Sequence, residues 1–579
     1  MKKWFKYVKP YWPYFVIGPL CMIVEVIGEV VMPRLLALII DNGTEGTLTP
    51  GGSIGVMAAM IGTAILMLCG GVGGAYFGAK ASVNFAADLR ADAFASVQQF
   101  SFANIDRFST GSIVTRLTND VTQMQNFVNM MLRMALRSPG MLVAALIMSI
   151  SIKPPLAVVF AVTIPLMILT IFGIILLGFP RFGKLQTKVD ALNSTVQENI
   201  TNVRVVKSFV RQKHEIGKFK RANAALREAG FSAMKVVIFM EPVMSAFMYA
   251  TTLAVIWFGS GYVLEGPIMG LSVGDFSSFI MYVNQILMSL MMITMLLMTT
   301  ARALASARRI RAILDEKPDI DDEGADPTLT VEEGTIEFRG VTFRYYADSE
   351  EPVLKNINLT IPSGSTLGII GSTGCGKSTL VSMITRLYDP DEGQVLVDGR
   401  DVRSYTLPHL RNRIAVVLQK NTLFSGTIAE NLRWGNENAT DEEIRQVAGW
   451  AQADKFVSSF PDGYDTLIEQ GGSNVSGGQK QRLCIARAML ARPKVLILDD
   501  STSAVDTATE RQIRTALRDE LSDTTKIIIA QRITSVMEAD QIIVMNEGEI
   551  TGCGTHEELL ATCEEYREIY DSQASGEEE

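Results

Sequence analysis

With 579 residues, the chain exceeds what one hydrophobic core organises, so at least two domains are expected. Hydrophobic residues make up 48% and charged residues 20%, and nearly all long apolar runs fall before about residue 315. The net charge of −9, carried mostly by the second half, argues against a nucleic-acid partner, and six cysteines without CxxC spacing argue against a disulfide framework or zinc site.

The basic start "MKKWFKYVKPYW" precedes an apolar run, as in a signal peptide. That run continues to about residue 40, contains Glu25, Glu29 and Arg34, and lacks a small-residue cleavage site, so it reads as a retained membrane helix. Uncharged stretches at 54–79, 154–179, 242–264 and 276–301 each exceed or match the roughly 20 residues a bilayer needs. Two less clean runs, 14–40 and 127–152 (with Arg133 and Arg137 near its start), complete six spans within a first domain covering 1–316.

Glu25 and Glu29 are four apart and share one helix face. Acids at that depth either attract cationic substrates or pair with groups on neighbouring helices. In the sixth span Met281, Asn284, Gln285, Met288, Met292 and Met295 fall on one face at about 100° per residue. Amides avoid lipid, so that face is expected to look inward, as packing or, with the two acids, as a substrate cavity.

The first, third and fifth connections are short and hold a single basic residue, Lys153. The N-terminus carries Lys2, Lys3, Lys6 and Lys9, and the fourth connection, 181–241, is rich in Lys and Arg, so both chain ends are expected in the cytosol. The two long cytosolic connections, 80–130 and 181–241, read as helices that turn back near "SFANIDRFSTGSIVTRLTND" and "RQKHEIGKFKRANAALREA". An acidic linker at 317–334 follows, then a soluble α/β domain with a β-rich start at 335–573 and an acidic tail at 574–579.

"LGIIGSTGCGKSTL" fits a phosphate loop between an apolar strand and a helix-forming run. Gly371, Ser372, Thr373, Gly374, Cys375 and Gly376 would wrap phosphate oxygens with backbone N–H groups, Lys377 would reach the β- and γ-phosphates, and Ser378 and Thr379 open the helix. Ser378 is placed on magnesium, with Asp499 of "VLILDD" as the magnesium-side acid. "NVSGGQKQRLCIARAML" opens another helix at Ser476, Gly477 and Gly478, where free amides can receive a phosphate.

Together these motifs resemble an ABC transporter nucleotide-binding domain. The signature is Val475, Ser476, Gly477, Gly478 and Gln479; Gln419 matches the Q-loop, a further magnesium contact, and Ser503–Asp506 the D-loop. Tyr345 stands where the family stacks adenine, with Tyr346 the second choice. With six spans before it, the whole chain resembles one half of a type IV ABC exporter: a six-helix α-helical transmembrane domain followed by an α/β P-loop ATPase domain with β-rich and helical subdomains. The resemblance implies ATP and Mg2+ as cofactors and a second half-transporter, because each ATP lies between the phosphate loop of one chain and the signature of the other. It also implies membrane lipids around the spans, a hydrophobic small molecule as cargo, and a bacterial cytoplasmic membrane.

Two positions depart from the family. The residue after the magnesium acid is a Glu in the family and is Asp500 here; a later His is Gln531. Gln470 also stands where many members carry Glu. A carboxylate one methylene short loses reach to water, and general-base help is worth about 10²–10⁴-fold. Either both sites of a homodimer turn over slowly, or this chain holds the degenerate site of a heterodimer and lends an intact signature to its partner. Two departures beside an undamaged signature favour the heterodimer. A lipid flippase, a peptide exporter and a regulatory subunit that only binds ATP are the rival readings.

Overall fold

The computed structural model describes residues 2–44, 50–265, 271–346, 349 and 351–574. The expected tail beyond 574 and parts of the first and fifth connections (45–49 and 266–270) lie outside the described residues. The chain divides into two units, Met1–Gln98 with Gly111–Glu316, and Gln99–Thr110 with Lys317–Glu579.

The first unit is helical. Its main elements are α1 (Trp12–Thr44), α2 (Pro50–Gln98), α4 (Val121–Met134), α5 (Arg137–Ile152), α6 (Pro154–Thr201), α7 (Gln212–Leu264) and α8 (Val273–Asp315), while the short α3 (Phe102–Phe108) belongs to the second unit. Among the described residues, six segments are long and apolar enough to cross a membrane. The third, Thr110–Ile152, is interrupted by a turn at Ala135 and Leu136, just before Arg137. α6 and α7 have 48 and 53 residues, far more than a bilayer needs, so both run on as rods beyond it.

Close helix contact in this unit depends on small residues. A Cβ on Gly70 would lie 2.8 Å from the Cys21 carbonyl oxygen, so α1 and α2 touch backbone to backbone. Pro33 inside α1 has no N–H, which leaves the Glu29 carbonyl without its helical donor. α8 supplies the replacement: Gln285 Nε2 donates to Glu29 O at 2.8 Å, and the Tyr282 hydroxyl donates to Val30 O at 2.7 Å. In lipid each freed carbonyl must be met inside the protein, so the polar residues of α8 are tied to the prolines of α1.

Near the end of α8 a buried ion pair closes the unit. The turn Arg116–Asp120 is π-helical, and Asp120 accepts from Arg309 Nε at 2.7 Å and from Ser306 Oγ at 2.9 Å. Burial pushes the Asp120 carboxyl up, but the Arg309 and Ser306 hydrogen bonds outweigh it and hold it below the usual carboxylate range. Asp120→Ala strips this pair of its anion and leaves the half-exposed Arg309 to water, so a loss of roughly 1.5–3 kcal/mol, the worth of a charged hydrogen bond, is expected. The sign with pH follows from the depressed value: the contribution is complete above the ordinary carboxylate range and fades as pH falls through the lower, folded value. Melting of the detergent-solubilised protein between pH 3 and 7 checks both, with Asp120→Ala showing a lower midpoint at pH 7 and a flatter acid limb.

Among its described residues the second unit holds three sheets, the smallest an antiparallel pair of β7 (Gly426–Thr427) and β8 (Leu467–Ile468). A four-stranded sheet has the order β2–β1–β4–β5, from β1 (Ile336–Phe343), β2 (Leu354–Ile361), β4 (Glu392–Val397) and β5 (Arg400–Asp401). A six-stranded sheet has the order β12–β11–β3–β10–β9–β6 and is parallel except for β12. Its strands are β3 (Thr366–Gly371), β6 (Ile414–Val417), β9 (Val495–Asp499), β10 (Thr525–Ile529), β11 (Gln541–Asn546) and β12 (Glu549–Gly554). β9 is buried at all five residues and β3 at four of six, as expected for central parallel strands covered on both faces. The carboxyl ends of β3, β9 and β10 lie side by side, the usual place for a ligand in such sheets.

Residues 317–334, expected as a linker, pack within this unit. Val331 is buried, Asp322 accepts from Leu407 N at 2.7 Å, and the Asp398 carboxylate accepts from four successive amides, Glu332 to Thr335. Acidic composition alone reads as solvated chain; here the carboxylates and amides find fixed partners. α3 is capped by Ser101, and its Asp106 accepts from the Tyr388 hydroxyl at 3.3 Å, while Phe102 meets the Tyr388 ring at 6.2 Å. Burial, then Asp106, pushes the Tyr388 phenol up to about 12.

Candidate functional site

β3 ends at Gly371, and the chain turns through Ser372, Thr373, Gly374 and Cys375 to Gly376, which opens the helix α9 (Lys377–Ile384). Gly376 has φ +99°, and a Cβ there would lie 2.9 Å from the Val353 carbonyl oxygen, so glycine alone closes this turn. Lys377 folds over its own loop, with Nζ donating to Gly371 O at 2.8 Å and Ser372 O at 2.7 Å. A phosphate in the loop would compete for that ammonium with a charged acceptor, the stronger kind.

β9 delivers Asp499 to the hydroxyl of Ser378, which donates to it. Burial pushes the Asp499 carboxyl up, the charge of Asp500 adds to this, and Ser378 and Lys377 oppose it. The hydroxyl and carboxylate are hard oxygen donors that suit magnesium, which fills its remaining positions with phosphate and water. Among the described residues no group of three or more His, Cys, Asp or Glu could hold a metal ion unaided.

Asp500 leaves the strand at φ +46°, a left-handed conformation that Asp tolerates better than most residues. Its amide donates to Ile529 O at 3.0 Å, which pins it beside the end of β10. Two residues beyond β10, Gln531 Nε2 donates to Asp500 Oδ2 at 2.8 Å. The two departures from the family pattern therefore meet in one hydrogen bond. The C-terminal helix steadies the Gln531 loop from behind: Gln573 Nε2 donates to Gln531 O at 2.8 Å, and Ile533 N donates to Gln573 Oε1 at 2.9 Å. Gln573→Ala removes both bonds, worth about 0.5–1.5 kcal/mol each. Faster amide exchange at Ile533, with the melting midpoint nearly unchanged, is the expected result.

Tyr345 is held at the loop. Its hydroxyl shares a hydrogen bond with Thr379 Oγ1 at 2.8 Å, and its ring meets Phe343 and Tyr388 edge-on, with centroids 5.1 and 5.2 Å away. Tyr346 is turned out, 71% exposed against 42% for Tyr345. Gln419 stands exposed on the loop after β6, and Gln470 is also exposed. The loop, Ser378, Asp499, Asp500, Gln531 and Tyr345 thus gather around one strand-end cleft.

The signature lies apart from them. Val475 leads to Ser476, the cap of α10 (Gly477–Leu490); Gln479 N donates to Ser476 Oγ at 3.3 Å, and Ser476 N donates to Gln479 Oε1 at 2.9 Å. This reciprocal box holds the helix start open. A Cβ on Gly478 would lie 2.7 Å from the Ala504 carbonyl oxygen, so Ser503–Asp506 presses directly on the signature. Gln481, buried in α10, ties the two further, accepting from Ala504 N at 3.0 Å and donating to Ser503 Oγ at 3.3 Å. Among the described residues no hydrogen bond joins Ser476–Gln479 to the phosphate loop.

In the first unit a cavity of about 360 Å³ is lined by Glu29, Asn284, Gln285, Met288 and Met292, joined by Met32, Met67, Arg137, Ser138, Met141 and Met281. Glu25 and Met295, expected in the same group, lie outside it. Glu25 instead turns toward Arg137, which bridges Glu29 Oε1 at 2.6 Å and Glu25 Oε1 at 3.2 Å. Between substrate attraction and structural pairing, both acids are in fact paired. Met295 sits further along α8 and is exposed. Arg34 pairs with Asp275.

Residues 15–290 match the family model of the ABC transporter transmembrane region, and residues 354–503 match that of the ABC transporter. A Bacillus subtilis protein named "Uncharacterized ABC transporter ATP-binding protein YfiB" is 38% identical over 577 residues, 99% of this chain and 98% of its own length. The chain belongs to the ABC transporters. A Desulfotalea psychrophila protein named "ATP-dependent lipid A-core flippase" is 35% identical over 492 residues, covering 84% of each chain. A solved structure of a bacterial Atm1-family ABC exporter with ATP bound superposes with a TM-score of 0.78 at 25% identity, covering 97% of this chain and 98% of that one.

This ABC transporter is accordingly a multi-pass membrane protein with an ATP-hydrolysing domain and the exporter fold. Sequence reading missed four residues of its working parts. Arg137 was visible as an intramembrane cation and could have been matched to the two acids by the need to pair charge in lipid. Gln481, Gln573 and Tyr388 carry no local signal, because the nearest of these partners in sequence are 22, 40 and 43 positions away.

Proposed function

We propose that this ABC transporter exports amphipathic small molecules, drugs or lipids, across the bacterial cytoplasmic membrane as one half of a heterodimer, with both chain ends in the cytosol. Its own phosphate loop, with Tyr345 against adenine, Gln419 nearby and magnesium on Ser378 and Asp499, holds ATP for long periods. Its signature, Val475 to Gln479, completes the partner's site, where most hydrolysis takes place. Magnesium supplies charge neutralisation for the phosphates; Lys377 and the loop amides do the positioning.

The observation that carries this reading is the Gln531–Asp500 hydrogen bond at 2.8 Å. A general base must reach the proton it takes within about 2.6–3.2 Å, directly or through one water. Asp500 is one methylene short, and one of its oxygens is already occupied by a neutral amide. The paired start of α10 is undamaged, which supports its use by another chain. The Met-lined cavity with its Glu29–Arg137 edge supports a cargo with an apolar body, and the relative named as a lipid A-core flippase keeps lipids among the candidates.

The experiment measures ATPase turnover in nanodiscs for this chain alone, for this chain with its partner, and with the partner's own base Glu changed to Gln. Slow turnover alone, brisk turnover together and its collapse with the partner variant support the reading. Brisk turnover by this chain as identical copies sinks it and leaves the homodimeric exporter.

A further inference from the structure

α6 and α7 part along one flank to leave a groove of about 1030 Å³. Its membrane end is apolar, with Ile174 and Leu177 from α6 and Phe239 from α7; beyond it lie Arg181 and Lys235, then Phe231 and Arg227, the α7 residues 227, 231, 235 and 239 standing one turn apart along one face. Phe231 and Phe239 are 65% and 66% exposed, a large apolar surface to leave uncovered. One acid, Glu228, shares the groove with the three cations, and among the described residues none of the four is in an ion pair. Arg181 is restrained by a bond from Nη1 to Leu177 O at 2.5 Å, which lays its guanidinium along the groove.

The position in the membrane follows from the sequence. The uncharged run of α6 ends at residue 179, so Arg181 is its first charge past the bilayer, and Lys235 precedes the uncharged run of α7 that begins at 242. The groove therefore crosses from acyl-chain depth at Leu177 and Phe239 to headgroup depth at Arg181 and Lys235, with Phe231 and Arg227 one and two helical turns further out. Basic pockets between membrane helices are the recurrent form of acidic-lipid sites.

We infer that this groove binds an anionic membrane phospholipid, its phosphate between Arg181, Arg227 and Lys235 and an acyl chain along Leu177 and Phe239. The inference rests on the chain spanning a membrane and is independent of the degenerate-site reading. A zwitterionic lipid offers the same chains and phosphate, but its own cation opposes the three on the protein.

The full transporter, delipidated in detergent and titrated with phosphatidylglycerol or phosphatidylcholine, is examined by native mass spectrometry. A preference for phosphatidylglycerol is expected, and the triple variant Arg181→Gln, Arg227→Gln, Lys235→Gln should lose it, by roughly 100-fold at about fivefold per cation. Arg227→Lys, which keeps the charge, should retain most of it, and all variants should keep the wild-type melting midpoint. Equal binding of the two lipids, or an unchanged preference in the triple variant, overturns the inference. So does complete displacement by inorganic phosphate, which would mark a soluble-anion site. Efficient cross-linking of a cysteine at position 239 to the second subunit in the assembled transporter would mean that protein, not lipid, covers the groove.

Discussion

The double substitution Asp500→Glu, Gln531→His should raise the turnover of this chain's own site by roughly 10²–10⁴-fold, or about 2.7–5.5 kcal/mol of barrier. The longer carboxylate regains the reach that Asp500 lacks, and removal of the Gln531 amide frees the oxygen now held at 2.8 Å. The backbone should tolerate the change, because the Asp500 amide is fixed by Ile529 O and not by its side chain. Asp500→Glu alone should gain less, since Gln531 would still compete for the new carboxylate. The two changes touch each other, so their effects should not add. Single-turnover hydrolysis by the assembled transporter, with the partner's base Glu changed to Gln so that this chain's own site is read, measures the step directly. If the double variant turns over no faster than the parent, the account of a weakened site fails.

Gly478→Val should silence the assembled heterodimer, by about 10²–10³-fold or more, although Gly478 touches nothing in this chain's own phosphate loop. The cause is steric before it is chemical. A Cβ at this position would lie 2.7 Å from Ala504 O, a backbone atom that cannot swing aside, so the start of α10 must shift. That start presents the amides and the Ser476 hydroxyl that would face the partner's γ-phosphate, and losing one preorganised donor costs about 10²–10³ in rate. Nucleotide trapping at this chain's own loop should survive, because Lys377, Ser378 and Tyr345 belong to a separate hydrogen-bonded set. Trapping with labelled ATP and steady-state turnover, measured on the same preparation, separate the two effects. Loss of both together would mean that the two sites are not divided as proposed.

These expectations differ in where they come from. The phosphate loop, the signature, the six spans and the two departures are written in local order, because each depends on residues within about a turn of one another. Glycine spacing, an apolar run or a capping pair is complete within its own segment, and so it can be read before anything is folded. The charges of 14–40 and 127–152 were also legible, as two acids and three cations that lipid would not tolerate singly.

What the chain order could not express is which distant groups meet. Composition marks 317–334 as free linker, yet Asp398 gathers its last three amides and that of Thr335, and only the packed unit reveals that acceptor. Helical periodicity put Glu25 and Met295 in the cavity with their face-mates. The pull of Arg137 and the course of α8 took them out of it. Gln285 lines the cavity, as its helix face suggested, and also satisfies the Glu29 carbonyl freed by Pro33, 256 positions away in sequence and 2.8 Å away in space. From its letters alone this protein determined its elements, its nucleotide motifs and the two departures at Asp500 and Gln531. Folding decided that Gln531 closes on Asp500 and that the signature faces away from its own ATP loop, because hydrogen bonds and burial depend on distance in space, which sequence separation does not record.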